Sequence, residues 1–526
     1  MKKFNTAVVC SPEKHYMVDV SEKADRILEQ YIRPGYYFAI NRGRQYGKTT
    51  MLSMLARKLR DSFYCLRISF EGGEEMFDSN YAFAVGIKDL IERQLELEHV
   101  PADLIGKWGR QIDTEGSLRK LGDRITELCR DSDRDIVLMI DEVDRASDNQ
   151  MMLRFLGLLR DKYIRREEGR ADTFHSVILV GVYDLKNLKL KIRPEETHRY
   201  NSPWNVAVDF EEDLSFSSGE IAGMLADYEA DYHTGMDIRA ISRLIYEYTS
   251  GYPVLVSGIC QRLEKNVVGM KTFPGRTQAW TAEGVSEAVK IIEHTKTPLF
   301  EDMIKQICDY PQLNDVLRRI LFEGDSIPFN AYDEALNLAK MFDYIKCENG
   351  KVAVFNRIFE VVLYDYFLSE DKADNATNRD AELNKSQFIK DGRLDMESLL
   401  CKFAEHYAYV YSDNDRRFIE KYARKIFLMY LKPVINGTGN YYIEAQTRDE
   451  KRTDIIVDYL GKQYLIETKI WYGPKYNEDG EKQLCGYLEQ LNLDKGYLLT
   501  FSFLKNKKPG VQETVVDGKI LWEITV

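Results

Sequence analysis

The stretch "YYFAINRGRQYGKTTMLSMLARKL" (residues 36–59) decides the fold of the N-terminal half of this chain. Its first five residues are aromatic or aliphatic, which is typical of a buried strand. After a polar loop that contains glycine, the residues Leu52, Leu55 and Leu59 recur at helical spacing. The stretch therefore predicts a strand, a loop and a helix in direct succession.

The loop has most of the residues of a phosphate-binding loop. In such a loop the backbone N–H groups and the helix N-terminus face phosphate oxygens, a lysine reaches the outer phosphates, and a hydroxyl binds Mg²⁺. Gly47, Lys48 and Thr49 occupy the last three places of the motif G-x-x-x-x-G-K-[ST]. Arg42 stands where the first glycine is expected, and Gly43 follows one place later. We expect phosphate binding here.

Further apolar runs predict a parallel sheet around this loop. They are "CLRISF" (65–70), "IVLMIDEVD" (136–144) and "SVILVGVYD" (176–184), separated by helical stretches. The carboxyl end of a central parallel strand opens on a ligand crevice. We therefore predict that Asp141 holds Mg²⁺ through water and that Glu142 polarises the attacking water. The residues predicted to bind the nucleotide or its metal are Gly43, Tyr46, Gly47, Lys48, Thr49, Thr50 and Asp141.

Composition limits the classes of function. The 526 residues are too many for one core, so two to four domains are expected. A net charge of -12 argues against general attraction to nucleic-acid phosphates, although a local basic surface is still compatible with it. The sequence contains neither a membrane-length apolar run nor a signal peptide, which predicts a cytoplasmic protein without a membrane partner. Eight scattered cysteines favour reduced thiols over a disulfide frame or a zinc site.

The C-terminal part contains charged residues within apolar strands. In "TDIIVDYLGKQYLIETKI" (453–470), Asp454 lies on one predicted strand, and Glu467 and Lys469 share a face of the next. Two carboxylates on paired strands can converge on one Mg²⁺ or Mn²⁺ ion, and the lysine can position water or stabilise developing negative charge. The predicted element order from about residue 393 is α-β-β-β-α-β. A salt-bridged strand pair without activity is the competing interpretation.

Two family resemblances follow from these residues. "RQYGKTT" (44–50), "IDEVD" (140–144), "NSPWNVAVDF" (201–210) and "SFSSGEIAGML" (215–225) resemble bacterial AAA-like ATPases related to the archaeal-ATPase and STAND groups of P-loop proteins. This resemblance covers roughly residues 1–300 and implies ATP as a cofactor. It also implies that the helical stretch 216–300, with its Gly251-Tyr-Pro253 turn, is a lid over the nucleotide; read by itself, the turn ends one helix and begins another.

The C-terminal residues resemble the PD-(D/E)XK nuclease superfamily, in particular nuclease domains fused behind AAA-like ATPases. The resemblance implies a catalytic role for Asp454, Glu467 and Lys469, with Thr453 in place of the family's proline. Gln483 and Tyr487 match the family's Q-x-x-x-Y motif, which orients the site and substrate. On an earlier helix, Glu420 lies where many members place another metal-binding acid; a surface carboxylate explains it equally well.

These observations predict an α/β multidomain chain. The predicted parts are a P-loop parallel-sheet ATPase (1–215), a helical lid (216–300), a winged-helix-like domain with a hairpin turn at Asn349-Gly350 (301–370), a polar linker (371–392) and an αβββαβ nuclease-like domain (393–526). The predicted function is an ATP-regulated, metal-dependent nuclease with DNA or RNA as partner, and a homo-oligomer is compatible with it.

Two alternatives stay open. One is a STAND-type ATP-binding switch that carries an inactive nuclease-fold module, and the other is a DNA-binding regulator that uses the winged helix. The sequence also leaves open whether Arg193 or Arg199 contacts the ATP of a neighbouring protomer.

Overall fold

The computed structural model of this chain describes most of its 526 residues. The described residues are 2–7, 9–71, 74–146, 150–182, 204, 206–323, 327–348, 350–370, 385–390, 393–410, 416–435, 439–443, 454–460, 462–471, 481–482, 484–489, 491, 493–502 and 510–526. The chain divides into two compact units. Unit 1 comprises Met1–Tyr246, Gly251–Lys265 and Met341–Asp343, and unit 2 comprises Glu247–Ser250, Asn266–Lys340 and Tyr344–Val526.

Unit 1 contains a four-stranded parallel sheet. Two short parallel strands, β1 (Lys3–Phe4) and β2 (His15–Tyr16), come before it in the chain. The strands of the sheet are β3 (Tyr37–Asn41), β4 (Phe63–Ser69), β5 (Asp135–Asp141) and β6 (Ser176–Gly181). Their spatial order is β3, β6, β5, β4, and all three pairs are parallel. The predicted α/β fold with a parallel-sheet core is therefore confirmed for this part of the chain.

Helices connect and cover these strands because parallel neighbours require crossovers. Among the described residues up to 262, the α-helices are Ser21–Ile27, Lys48–Leu59, Asn80–Leu97, Ala102–Trp108, Ser117–Asp131, Gln150–Glu167, Ser218–Tyr232, Ile238–Thr249 and Pro253–Arg262. One face of each strand packs into an apolar core that includes Leu66, Leu138 and Leu179. The core fixes the strand ends, and with them the residues that follow.

Strand β5 ends within the apolar run that predicted it. The run 136–144 predicted a strand that ends in acids, and β5 ends at Asp141 with a short 3₁₀ turn, Val143–Ala146, after it. The reason is local, since Glu142 has a φ of 53°, which interrupts an extended backbone. Of the predicted run 176–184, residues 183–184 lie outside the described residues.

The next part of the chain is mainly helical, as predicted. Its helices are Arg276–Ala279, Ala282–Glu293, Pro298–Asp309, Pro311–Arg318, Glu334–Met341 and Arg357–Glu370. Between the last two, β7 (Ile345–Glu348) and β8 (Lys351–Val354) pair as the predicted antiparallel hairpin, and Gly350 has the positive φ (78°) that its turn requires. Asn349 lies outside the described residues. Among the described helices, none has the length and apolar character needed to cross a membrane.

The C-terminal end of the predicted linker is folded. Residues 385–390, which the sequence analysis assigned to a polar linker, form a 3₁₀ turn (Lys385–Phe388) and the strand β9 (Ile389–Lys390), which pairs with β10 (Arg393–Leu394). Phe388 is buried, so this segment gains apolar burial that the polar composition did not indicate. Residues 371–384 and 391–392 lie outside the described residues.

A six-stranded mixed sheet forms the C-terminal part of unit 2. It follows the helices Met396–Val410 and Arg416–Ile435, and residues 481–482 and 484–489 are also helical. Its strands are β11 (Gly439–Ile443), β12 (Asp454–Tyr459), β13 (Lys462–Ile470), β14 (Lys495–Phe501), β15 (Gly510–Val516) and β16 (Lys519–Thr525). Their order is β11, β12, β13, β14, β16, β15; the pairs β13–β14 and β14–β16 are parallel and the others antiparallel.

Strand β15 was not predicted. It is an edge strand with the sequence "GVQETVV", and most of its residues are exposed. An exposed edge strand needs no continuous apolar run, so its pattern resembles that of a loop.

Candidate functional site

The loop after β3 leads directly into the helix Lys48–Leu59. Gly47 precedes this helix with a left-handed backbone (φ 82°), which glycine adopts without strain. The helix is held to the core by buried Leu52, Leu55 and Leu59, the three residues whose spacing predicted it. The first backbone N–H groups of a helix have no partner within the helix and carry a partial positive charge. The loop therefore has the local geometry of an anion site.

The ammonium group of Lys48 folds back over this loop. Its Nζ donates hydrogen bonds to the carbonyl oxygens of Arg42 (2.8 Å) and Gly43 (2.7 Å). Burial disfavours the charged form and lowers the pKa of Lys48 to about 8, while nearby carboxylates, that of Asp144 foremost, oppose the shift. The Lys48 ammonium is thus held at the loop by two carbonyl oxygens. Phosphate oxygens could replace them as its hydrogen-bond acceptors.

Thr49 and Asp141 contact each other at the carboxyl end of the parallel sheet. Thr49 Oγ1 donates a hydrogen bond to Asp141 Oδ2 over 2.9 Å, although the two residues are 92 positions apart in sequence. Asp141 is the last residue of β5, and Thr49 lies in the first turn of the helix. Hydroxyl and carboxylate oxygens are ligands that Mg²⁺ accepts while it keeps several waters. The donor set of this pair therefore fits a magnesium ion.

Glu142 lies beside this pair in a strained backbone conformation. Its φ of 53° is rare for a residue other than glycine, and its N–H donates to Asp141 Oδ1 over 2.9 Å. Glu142 lines the same cavity as Lys48 and Thr49. Strain of this kind often accompanies functional positions, because the surrounding structure must hold it.

The hydroxyl of Thr50 contacts the N-terminal segment. Thr50 Oγ1 accepts a hydrogen bond from the backbone N–H of Cys10 over 3.3 Å. This contact was not predicted, because nothing in the sequence near residue 10 marks it as part of the site. Thr50 and Cys10 both line the cavity beside the loop.

That cavity has a volume of about 470 Å³. Residues 45–51 line one part of it, including the polar side chains of Lys48 and Thr49. Apolar side chains from three separate parts of the chain line much of the rest, namely Val9, Met17, Val18, Val20, Leu214, Phe216, Pro253 and Val254, and Asn5, Thr6, Glu142 and Ser257 add polar groups. A concave, mainly apolar site with a few convergent polar groups is the usual form of a small-molecule site.

The Gly251-Tyr-Pro253 turn forms part of this cavity wall. Gly251 has a φ of 74°, and a Cβ atom there would lie 2.0 Å from the carbonyl oxygen of Phe216. Its own carbonyl accepts a hydrogen bond from Phe216 N–H over 2.8 Å. Pro253 begins the next helix, as predicted for a helix stop followed by a new start. At position 251, glycine is thus required both by the positive φ and by the close approach of the Phe216 carbonyl oxygen.

Tyr46 is buried beneath the same turn. Its ring meets that of Tyr252 edge-on, with centroids 4.7 Å apart. Tyr252 OH donates a hydrogen bond to the carbonyl oxygen of Arg44 over 2.6 Å. The two tyrosines therefore hold the turn against the loop. Because they lie far apart in the sequence, this contact was not predicted.

The loop also contacts a segment far along the chain. The backbone N–H of Gly43 donates to Asp343 Oδ2 over 2.5 Å. Asp343 is buried with a φ of 55°, and burial raises its pKa to about 6, although the Gly43 N–H, Arg42 and Lys48 oppose the shift. A Cβ atom on Gly43 would lie 2.8 Å from the carbonyl oxygen of Phe342. This close approach explains why residue 43 is a glycine, although the motif places its first glycine at residue 42.

In the C-terminal sheet, the backbone positions of the three residues of the predicted acidic site lie on neighbouring strands. Asp454 in β12 is the direct partner of Glu467 in β13. Lys469 lies on the same face as Glu467, as predicted, and its Nζ is 3.6 Å from Glu467 Oε1. The side chains of both Glu467 and Lys469 are almost fully buried. Of the Asp454 side chain nothing is described.

The remaining predicted residues are only partly described. Tyr487 is buried on the helical segment after β13. Glu420 lies in the helix Arg416–Ile435, but its side chain is outside the described part. Gln483, Arg193 and Arg199 lie outside the described residues altogether. Among the side chains that are described, no group of three or more His, Cys, Asp or Glu residues is arranged to hold a metal ion.

The sheet contains another buried acid, Glu523, that was not predicted from the sequence as part of the site. Glu523 in β16 accepts a hydrogen bond from Thr500 Oγ1 of β14 over 2.8 Å, and both residues are buried. The available signal was the same as for Glu467, namely an acid inside an apolar strand, "KILWEIT".

Several solved structures are similar to parts of this chain. The Walker-type ATPase PABY2304 of Pyrococcus abyssi is 14% identical over 68% of this chain and 99% of its own, with a TM-score of 0.45. The ORC2 protein of Aeropyrum pernix, solved with ADPNP and ADP, is 14% identical over 70% of this chain and 98% of its own, with a TM-score of 0.41. The RuvB Holliday junction branch migration motor of Thermotoga maritima is 14% identical over 64% of this chain and 90% of its own, with a TM-score of 0.33.

No curated protein is similar enough to this chain to count as a match. The sequence of residues 44–188 matches the model of the family described as an AAA domain. This span begins within the loop after β3 and includes β4, β5 and β6. Unit 1 therefore contains an α/β, parallel-sheet P-loop ATPase core of the AAA type.

Proposed function

We propose that unit 1 binds ATP with Mg²⁺ and hydrolyses it. The observation that carries this proposal is the 2.9 Å hydrogen bond between Thr49 Oγ1 and Asp141 Oδ2, beside the Lys48 ammonium. It joins the hydroxyl of the loop motif to the acid at the end of β5, the pairing that a nucleotide-bound magnesium ion requires. The AAA domain match over residues 44–188 supports the same assignment.

Each residue has a role that follows from its position. The loop amides and the helix N-terminus receive the phosphates, and Lys48 exchanges its bonds to the Arg42 and Gly43 carbonyl oxygens for phosphate oxygens. Thr49 and Asp141 would hold Mg²⁺, which neutralises phosphate charge when bound. Glu142, at the cavity wall, orients and polarises the attacking water.

The cavity supports a nucleotide rather than a free phosphate ion. Its volume of about 470 Å³ extends beyond the loop along an apolar wall that includes Phe216 and Pro253. An apolar wall suits a base, whereas the phosphates need the polar loop. In this proposal the turn at Gly251–Pro253 covers the nucleotide as part of a lid.

Binding and turnover of ATP test this proposal directly. Wild type should bind a fluorescent ATP analogue in a Mg²⁺-dependent way and release phosphate. Lys48→Ala should weaken binding by about 10-fold or more, since it removes the cation that faces the phosphates. Lys58→Ala is the matched control, because Lys58 lies on the same helix but pairs with Asp25 at the surface. Equal affinity of wild type and Lys48→Ala would refute the assignment.

A second function is favoured by the C-terminal sheet. We propose that residues 393–526 form a metal-dependent phosphodiesterase of the nuclease type that cuts DNA or RNA. The pairing of Asp454 with Glu467, and the 3.6 Å separation of Lys469 Nζ from Glu467 Oε1, support this proposal. The order of elements, with β11, β12 and β13 before the helical segment and β14 after it, agrees with the predicted βββαβ order and supports the proposal.

In this proposal, each predicted residue of the C-terminal domain has a role that follows from its side chain. Asp454 and Glu467 would hold Mg²⁺ or Mn²⁺, a choice that fits two carboxylates, and the ion would supply an activated water. Lys469 positions the water or stabilises charge that develops on the phosphate. Tyr487 and Gln483 orient the site and substrate, and Glu420 adds an acid from the preceding helix.

Cleavage assays over several DNA and RNA substrates test this function. Wild type should cut with Mg²⁺ or Mn²⁺, and Lys469→Ala should lower the rate about 100-fold or more. Lys462→Ala is the matched control, since Lys462 begins the same strand and its ammonium lies over the Tyr464 ring, 5.0 Å from the centroid. Unchanged cutting by Lys469→Ala would contradict the assignment.

A comparison with and without ATP would show whether the first site controls the second. In this proposal ATP binding in unit 1 controls cleavage by the C-terminal domain. The proposal is compatible with a homo-oligomer. Absence of metal-dependent cutting on every substrate would leave two ATP-binding alternatives. One is the ATP-binding switch, and the other is a DNA-binding regulator that uses residues 301–370 as a winged helix, for which the hairpin β7–β8 after three helices is the support.

A further inference from the structure

A second pair of buried polar residues shares a face of the C-terminal sheet with Glu467 and Lys469. Lys469 in β13 pairs directly with Thr500 in β14, and Leu498 in β14 pairs with Glu523 in β16. Direct partners on neighbouring strands, about 4.8 Å apart, lie on one face, as do residues two apart on a strand. The four polar residues therefore lie together, near the carboxyl ends of three parallel strands.

The Thr500 hydroxyl has a defined direction. Its oxygen donates to Glu523 Oε1 over 2.8 Å, in a part of the sheet where Thr500 is 0% and Glu523 is 6% exposed. An ionised carboxylate only accepts hydrogen bonds, so this bond uses the single proton of the hydroxyl. The hydroxyl oxygen then acts as an acceptor toward its other neighbours. Lys469, its direct partner on β13, ends in an ammonium group that only donates.

We infer that Thr500 and Glu523 are positioning residues for the Lys469 ammonium. Glu523 fixes the direction of the Thr500 hydroxyl, and the Thr500 oxygen accepts from Lys469 on the side away from Glu467. The ammonium is thereby held between two oxygen acceptors and directed at the reacting phosphate. This inference rests on the proposed phosphodiesterase function.

The burial of Glu523 supports a role of this kind. Its neighbours Leu521, Trp522 and Ile524 on β16 are all buried apolar residues. A carboxylate among them is unfavourable unless hydrogen bonds and a nearby positive charge compensate for its lost hydration. The hydrogen bond from Thr500 compensates in part, and in our inference the ammonium of Lys469, the strand partner of Thr500, supplies the positive charge.

The test compares Thr500→Val, Thr500→Ser and Glu523→Gln with wild type in metal-dependent cleavage. Thr500→Val keeps the side-chain shape and removes the hydroxyl, so kcat should fall about 10- to 100-fold while KM stays within about twofold. Thr500→Ser restores the hydroxyl and should recover kcat to within about threefold of wild type. Glu523→Gln should lower kcat in the same way.

Thr525→Val is the matched control. Thr525 is buried on β16 directly beside Thr500, but the Thr500 hydroxyl donates its proton to Glu523 and not to Thr525. This variant should cut like wild type. Equal losses in Thr525→Val and Thr500→Val, or no recovery in Thr500→Ser, would overturn the inference, because a general packing defect would then explain the data.

A second measurement does not depend on cleavage. The acetylation rate of Lys469 by a small anhydride, followed by mass spectrometry in the full chain, reports how firmly its amine is held. We expect this rate to rise about 10-fold in Thr500→Val and Glu523→Gln, because each loses part of the arrangement that holds the amine. If wild type cuts no nucleic acid, the proposed function fails and the acetylation rates still decide the inference. If wild type cuts and the rates do not change, the inference alone fails.

Discussion

The side-chain carboxylate of Asp343 accepts a hydrogen bond from the backbone N–H of Gly43, a residue 300 positions earlier in the chain. The loop that we propose binds phosphate is therefore already in contact with an internal carboxylate. Asp343 keeps this position in spite of its burial, which is unfavourable for a carboxylate. The contact implies competition between this carboxylate and a nucleotide.

We predict that Asp343→Asn binds ATP more tightly than wild type. The asparagine keeps the size of the side chain and removes the negative charge that opposes the phosphates, so affinity should rise about fivefold or more. Asp333→Asn is the control, because Asp333 is exposed and accepts from Leu336 N–H at the start of the helix before Asp343, where asparagine serves equally well. Titration calorimetry would measure both, and a weaker Asp343→Asn would contradict the prediction.

The affinity for ATP should depend on pH through two residues. Asp343 has a pKa raised to about 6, so its carboxylate repels the phosphates above that pH and loses its charge below it. Lys48 has a pKa lowered to about 8, so its attraction for phosphate weakens as the pH rises through that value. The ratio of affinities, Asp343→Asn over wild type, should therefore be largest above about pH 6 and approach one below it. This ratio cancels the titration of ATP itself, and a ratio that is constant with pH would argue against the mechanism.

Thr49→Val should separate metal binding from nucleotide binding. Valine has nearly the same shape but lacks the hydroxyl that contacts Asp141 over 2.9 Å. We expect the Mg²⁺ concentration needed for half-maximal ATP hydrolysis to rise about 10-fold or more. Ser53→Ala tests the specificity of this effect, since Ser53 lies one turn further along the same helix and donates to the Thr49 carbonyl. A metal requirement unchanged in Thr49→Val would exclude this hydroxyl as a ligand.

Gly251→Ala should destabilise unit 1 much more than Gly235→Ala. Both glycines have positive φ, 74° and 76°, so each substitution imposes a similar backbone strain of about 1 kcal/mol. Only at Gly251 would the new Cβ also overlap the Phe216 carbonyl oxygen, at 2.0 Å, whereas the space around Gly235 is open. Thermal unfolding should show a loss of about 3 kcal/mol or more for Gly251→Ala. Similar melting temperatures for the two variants would show that the turn can relax.

The sequence determined the local elements of this protein. The apolar runs specify β3 to β6, the leucine spacing specifies the helix after the loop, and the two-residue periodicity puts Glu467 and Lys469 on one face. These patterns are readable because strand and helix periodicities act over a few residues and because buried strands must be apolar. Motif spacing likewise predicted Lys48 and Thr49 as site residues, and both line the cavity beside the loop.

Only the tertiary structure decided which distant residues meet. The contacts of Asp343 with Gly43, of Cys10 with Thr50 and of Thr500 with Glu523 join segments that no local pattern relates. The order of the strands also determines which residues meet. Strand β16 pairs with β14, whereas β15, which comes before β16 in the sequence, forms the edge of the sheet. The physical reason is that burial and hydrogen bonding over the whole fold select one arrangement of strands and turns among many that share the same local periodicity.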